Sequence, residues 1–255
     1  LREEVAGLAA AGYREVVLTG INLSLYGRER GLRLPDAVEA AASVPGIDRV
    51  RIGSLEPELL TDADIARLAA VPQLCGQFHL SLQSGCDATL ARMNRHYTTA
   101  RYREIAGALR EKFPGCAITT DVITGFPGET PGEFAETCGF VREMGFAMVH
   151  IFPYSERRGT AAASMPDPVP MEERRRRASE LAEITAGSAR AFYEAQVGTV
   201  QMVLIEKKRE PDWVRGYTPN YTPVRVRCAD DRREELLPVR ITEAGPEGCT
   251  GVFAG

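Results

Sequence analysis

Asp121-Val122-Ile123-Thr124-Gly125-Phe126-Pro127-Gly128-Glu129-Thr130 is the stretch whose reading decides the fold. Ala117 to Ile123 reads as a buried strand; it breaks at Gly125 and turns through Pro127-Gly128. A helix start follows, with Thr130 as N-cap, Pro131 at the first helical position and Glu133 placed to close a capping box. A strand ending in a glycine turn that feeds a helix is where open α/β sheets and (β/α) barrels keep their chemistry.

Working outward, the same rhythm repeats. A helix at Leu1 to Ala11, stopped by Gly12, precedes a strand at Glu15 to Thr19. A helix at Pro35 to Ser43 leads to a strand at Arg49 to Ile52, and Thr61 caps the next helix with Leu60 and Ile65 as its hydrophobic staple. Phe78 to Leu82 alternates, which puts His79, Ser81 and Gln83 on one side, either as the polar mouth of a barrel or as a hydrogen-bonded polar core. Helices at Thr98 to Phe113 and after Thr130 flank the quoted strand, and Met148 to Phe152 is the last strand of the series. Phe134, Cys138, Val141 and Met144 share a helix face, so Cys138 reads as core. Five strands alternating with helices predict a parallel sheet with right-handed crossovers. Because a βα domain should open with a strand, the expectation is a partial (β/α)6 barrel lacking its first strand and its N-terminal portion.

Ala161 to Pro170 reads as a connector and Met171 to Ala195 as a long helix. Its run Arg174 to Arg177 spans a full turn and is expected to be a solvated face, with RNA contact as the other reading. Beyond it, strand-like segments at 199–205, 213–217, 224–227, 236–241 and 251–254 predict a small all-β barrel. The expected domains are residues 1–193, including the connecting helix 171–193, and residues 194–255.

The chain has 255 residues, 44% hydrophobic and 26% charged, enough for a large and a small domain without disulfides. A net charge of -4 gives no general signal for wrapping nucleic acid, so RNA contact would need local patches such as Arg225 and Arg227 near Tyr217 and Tyr221. No run long and apolar enough for a membrane span and no leader pattern occurs, so the expected location is cytoplasmic, with no membrane partner. Cys75, Cys86, Cys116, Cys138, Cys228 and Cys249 lack ligand spacing and read as packing residues or inert thiols.

A set of loops is more specific than any one of them. Thr19-Gly20-Ile21-Asn22 with Tyr26-Gly27, Arg51-Ile52-Gly53-Ser54-Leu55-Glu56-Pro57, His79 to Asp87, Met93-Asn94-Arg95-His96-Tyr97-Thr98, Asp121 to Thr130, and Phe152 to Thr160 occur in this order. Together they resemble the radical S-adenosylmethionine methylthiotransferases, and the terminal barrel resembles their RNA-binding TRAM domain. Met93 to Thr98, Val149 to Thr160 and Gly216-Tyr217-Thr218-Pro219-Asn220-Tyr221 look most like the branch that methylthiolates N6-threonylcarbamoyladenosine beside the anticodon. Sister branches act on isopentenyl-adenosine in tRNA or on an aspartate of a ribosomal protein.

The resemblance implies S-adenosylmethionine, two [4Fe-4S] clusters in the full-length protein, an electron donor, and a tRNA anticodon stem-loop as partner. Carried onto these positions, Asn22, Ser54, Ser81, Gln83 and Ser84 are candidates for the methionine and ribose parts of the cofactor. Asp121, Ile123 and Gly125 would shape the adenine or ribose pocket, with His150 and Tyr154 on the last wall. Glu129 reads either as a turn carboxylate or as a ligand contact. The family's CxxxCxxC segment belongs upstream of the first helix, so no catalytic residue and no metal ligand is assigned here, and the chain alone is expected to hold no catalytic cluster. Other readings are a non-catalytic RNA-binding fragment and an unrelated partial barrel binding a phosphorylated metabolite. The last is weakened because Pro127 lacks the amide donor a phosphate loop needs.

Overall fold

The structure is a computed structural model that describes residues 1–210 and 212–254. Helix α1 (Arg2–Ala10) leads through Gly12 into β1 (Glu15–Leu18), and α2 (Leu34–Ala42) connects it to β2 (Arg49–Ile52). At Gly53 the second expected strand divides, and β3 (Ser54–Leu55) continues into the neighbouring pairing. Gly53 N–H donates to Leu18 O on one side of the break while Ser54 pairs with His79 on the other, so one segment serves two ladders.

The series continues through α3 (Asp62–Ala69), β4 (Gln77–Leu80), α4 (Asp87–Arg92), α5 (Thr99–Lys112), β5 (Ala117–Thr124), α6 (Pro131–Met144), β6 (Met148–Pro153) and α7 (Met171–Glu194). All ladders in this half are parallel, β1 with β2 and then β3-β4-β5-β6. The capping box at Thr130 is formed as expected: its hydroxyl accepts from Glu133 N–H, and its own N–H donates to the Glu133 carboxylate at 2.7 Å. Thr61 and Asp64 form another. The short helix α4 was not anticipated; its six residues carry too little periodicity to be read.

One face of the sheet is sealed. Val16, Leu18, Val50, Ile52, Leu55, Phe78, Leu80 and Val122 point into a core completed by Leu68, Tyr102, Ile105, Leu109, Val141 and Phe146 from the helices. The other face is covered by the C-terminal barrel at Arg49 and Arg51 and open beyond them, where the candidate residues Asp121, Ile123 and His150 stand.

The C-terminal strands β7 (Val200–Glu210), β8 (Trp213–Tyr217), β9 (Pro223–Arg227), β10 (Leu236–Gly245) and β11 (Gly248–Phe253) close into a five-stranded barrel in the order β10-β11-β9-β8-β7. The β9–β11 contact is parallel and the others antiparallel, an OB-like arrangement. Val203, Ile205, Val214, Val224, Val226, Val239 and Ile241 fill it. Helix α7 joins the two halves, since Leu181 packs in the first core and Tyr193 in the second.

The expectation of a solvated arginine face on α7 is corrected. Arg175 and Arg176 are exposed, but Arg174 and Arg177 are buried. Every third or fourth residue of a helix shares a face, and this face lies against the loops after β5 and β6, whose carbonyls and carboxylate satisfy both guanidinium groups.

Candidate active site

Alternation along each strand puts Glu15, Val17, Arg49, Arg51, Gln77, His79, Thr119, Asp121, Ile123, Met148, His150 and Phe152 on the open face. The register brings them side by side: Ser54 opposite His79, His79 opposite Thr119, Asp121 opposite His150, and Ile123 opposite Phe152. Val17, Met148 and Phe152 remain 52%, 42% and 52% exposed there, a set of apolar side chains that the domain itself does not cover.

The upper rim is built by the quoted loop and clamped by α7. Gly125 has φ +70, and its N–H donates to Glu129 Oε2 at 2.7 Å. The same oxygen lies 2.7 Å from Arg177 Nη1, which also donates to the Glu129 carbonyl. Burial pushes the Glu129 carboxyl up, and the donors from Arg177 and Gly125 pull it back. Of the two readings of Glu129, the structure supports a loop-bracing carboxylate. Arg174 donates to Val169 O at 2.6 Å and Tyr154 O at 2.8 Å, and its guanidinium lies over the Tyr154 ring. Thr124 Oγ1 in turn donates to Arg174 O.

The expected ligand-contacting residues divide into groups. Asp121, Ile123, Gly125 and His150 stand on the open face or its rim, joined by exposed Ser54 and half-buried Gln83, whose φ of +68 lets it exchange backbone hydrogen bonds with β5. Asn22 is exposed on the loop after β1. Ser81 is buried beneath the rim, where Tyr97 Oη donates to its carbonyl. Ser84 is a correction: it is fully buried, and its hydroxyl is spent on Thr137 and Cys86 N–H under α6. Tyr154 is also buried, its ring edge-on to Phe126 and its hydroxyl without a hydrogen-bond partner.

The floor of the face comes from residues that sequence reasoning missed. Glu15 pairs with Arg49 at 3.4 Å and Arg51 at 3.1 Å, all of them largely buried. Arg49 donates to the carbonyls of Met202 and Tyr217, and Arg51 to those of Pro219 and Thr218. Two cations against one anion are tolerated because the C-terminal barrel supplies four carbonyl acceptors. The same contact employs the expected RNA-binding tyrosines: Tyr221 stacks on Tyr217 at 4.5 Å, and Arg51 lies 4.6 Å over its ring. Tyr221 has φ +64, an unusual state for a bulky residue. It is held there by Thr218, Asn220 and Thr222, with Asn220 Nδ2 donating to Gly115 O and Gln196 Oε1. Arg225 lies over Trp213, and Arg227 is exposed. A cavity of about 320 Å³ lies between Tyr221, Val17, Arg51 and His79.

Toward the open face these residues present carboxylate and amide acceptors at Asp121 and Gln83 and apolar walls at Ile123 and Phe152, whereas the expected backbone approach at Gly125 is corrected: the space left by its missing Cβ is filled by Arg174 and its N–H is taken by Glu129. They do not fit an iron–sulfur cluster, because among the described residues no three cysteines converge. Cys75, Cys116, Cys138 and Cys249 are buried, and burial pushes each thiol up to about 11.

Residues 1–141 match the family model described as the radical SAM superfamily. The chain belongs to the radical SAM superfamily. Its fold agrees with that of Escherichia coli coproporphyrinogen III oxidase (HemN), a radical SAM enzyme, at a TM-score of 0.56 and 17% identity over 73% of this chain and 44% of that one. Among curated relatives, a tRNA-2-methylthio-N(6)-dimethylallyladenosine synthase of Acidothermus cellulolyticus is 40% identical over 95% of this chain and 50% of its own length. One of the same name from Symbiobacterium thermophilum is 38% identical, covering 95% and 54%. The threonylcarbamoyladenosine tRNA methylthiotransferase MtaB of Thermotoga maritima is 34% identical, covering 97% and 56%. The chain thus spans about half the length of the curated relatives it matches. Radical SAM membership implies S-adenosylmethionine and [4Fe-4S] chemistry. No helix among the described residues is long and apolar enough to cross a membrane.

Proposed function

We propose that this chain is the radical SAM core and C-terminal barrel of a tRNA methylthiotransferase acting at C2 of an N6-modified adenosine. One observation carries the reading: the similarity to relatives named for that activity runs through 95% to 97% of the chain, across both halves. The chemistry supplied with S-adenosylmethionine is hydrogen abstraction and methyl donation. The chain's own part is to hold and shield. Asp121 accepts from ribose hydroxyls, Gln83 and Ser54 bind the polar end, and Ile123 and Phe152 exclude water along the sheet. His150 completes the wall, while Gly125 and Tyr154 hold the rim in place through their contacts with Arg174. The terminal barrel, proposed as a TRAM-type domain over residues 194–255, offers Arg225 and Arg227 to an anticodon stem-loop.

The N6-threonylcarbamoyl branch is proposed as the substrate on the strength of Met93 to Thr98, Val149 to Thr160 and Gly216 to Tyr221. The dimethylallyl branch is a second reading, favoured by the names of the relatives at 38% and 40% identity. Nucleoside mass spectrometry of tRNA from a strain lacking the gene separates them. Loss of methylthio-threonylcarbamoyladenosine is expected; loss of the dimethylallyl form overturns the branch, and loss of neither overturns the activity.

A further inference from the structure

Three side chains that are 42 and 29 positions apart in the sequence, His79, Asp121 and His150, meet on the open face. Asp121 and His150 are direct partners across β5 and β6, while His79 sits diagonally across β4 and β5, opposite Thr119. One nitrogen or oxygen atom from each of His79, Asp121 and His150 lies within 4.8 Å of the others. His79 Nε2 is 3.3 Å from Asp121 Oδ2, and the two imidazole centroids are 5.9 Å apart.

We propose that His79, Asp121 and His150 bind one divalent transition-metal ion on the open face, leaving coordination positions for a ligand lying along the sheet. The donor set selects the class of ion. Two imidazoles and one carboxylate suit Zn²⁺, Co²⁺, Ni²⁺ or Fe²⁺, whereas Ca²⁺ and Mg²⁺ require mostly oxygen donors. The surroundings prepare the site. His79 Nδ1 lies 3.1 Å from Thr119 Oγ1, whose hydroxyl also accepts from Gln77 Nε2. That contact fixes the ring and, with the proton on Nδ1 donated to Thr119, leaves the Nε2 lone pair facing Asp121, the outer support that metal-bound histidines need. His79 and Asp121 are held at 14% and 29% side-chain exposure, while His150 is exposed, so an ion has a path in. Metal–ligand distances near 2.1 Å require adjacent donors to close to roughly 3–3.5 Å. A rotation of the exposed His150 side chain accomplishes this while the two half-buried ligands stay in place.

This inference does not depend on the methylthiotransfer reading, and its test needs no turnover. The chelator-treated chain is titrated with Co²⁺ and with Zn²⁺, and the imidazole proton resonances are followed by NMR. The chain has three histidines, and His96 is an exposed loop residue outside the set. One ion per chain is expected, with cobalt d–d absorption lacking a thiolate charge-transfer band, and with His79 and His150 signals perturbed but not His96. His150→Ala, at an exposed position, and Asp121→Asn should each weaken binding by at least about tenfold. Thr119→Val should weaken it by about ten- to a hundredfold through loss of ring orientation, and His96→Ala should leave it unchanged, with far-UV circular dichroism confirming the fold of each variant. Absence of saturable binding, binding that survives in His150→Ala, or a thiolate band overturns the proposal.

Discussion

Gly125→Ala tests whether the rim of the open face is built as described. Gly125 holds φ +70, where an alanine costs about 1–2 kcal/mol. A Cβ there would collide with Cγ of Arg174 and lie 3.1 Å from its Cβ and 3.3 Å from its Cα. Arg174 cannot swing aside freely, because it is buried and donates to Val169 O and Tyr154 O. Overpacking of this kind costs about 1–3 kcal/mol, and reduced freedom of the unfolded chain returns about 0.4–1 kcal/mol. The net expectation is destabilisation of the α/β half by about 2–4 kcal/mol. Two probes separate the halves during urea unfolding: far-UV circular dichroism follows the helices, and the single tryptophan, Trp213 on β8, follows the barrel. The dichroism midpoint should fall. Gly139→Ala, on exposed helix surface with nothing within 4 Å of its added Cβ, should raise it by the equivalent of about 1 kcal/mol. A Gly125→Ala midpoint equal to that of the parent would refute the αL conformation and the Arg174 clamp together.

Arg51→Met removes the guanidinium shared by Glu15, Tyr221 and the carbonyls of Thr218 and Pro219, at a cost on the order of 2–3 kcal/mol. The tryptophan and dichroism transitions should move apart, and transitions as closely superimposed as in the parent would refute the clasp. Glu133, held down to about 2 by the Arg92 guanidinium against an ordinary 4.5, contributes stability that is complete above its unfolded value and lost as pH falls toward 2. At about 1.4 kcal/mol per unit that contribution is on the order of 3 kcal/mol. In Glu133→Gln, stability should be lower at neutral pH and converge with the parent near pH 2; parallel curves would contradict the assignment. Of the six cysteines, only half-buried Cys228 should react with a thiol reagent at pH 8 in the native state, and rapid labelling of Cys75 or Cys116 would show that the cores are not closed as described.

What the sequence determined by itself was local or repetitive. Thr130-Pro131-Glu133 announces its helix because a capping box lies within four residues, and Thr61 announces its own because an N-cap and its staple of Leu60 and Ile65 are equally local. The alternation of apolar runs and helical faces predicts the parallel sheet and the terminal barrel because hydrophobic period depends on neighbours in the chain. Motif order was sufficient for the superfamily.

Tertiary structure decided everything that depends on which groups meet across strands or halves. Arg174 and Arg177 look like solvent-facing charges until the loops after β5 and β6 cover them, and Ser84 looks like a ligand contact until Thr137 takes its hydroxyl. Arg49 and Arg51 become the floor of the open face only because barrel carbonyls reach them. His79, Asp121 and His150 form one cluster only through parallel strand register. A buried charge or a shared site is settled by partners distant in sequence, and the residue types alone carry no record of who those partners are.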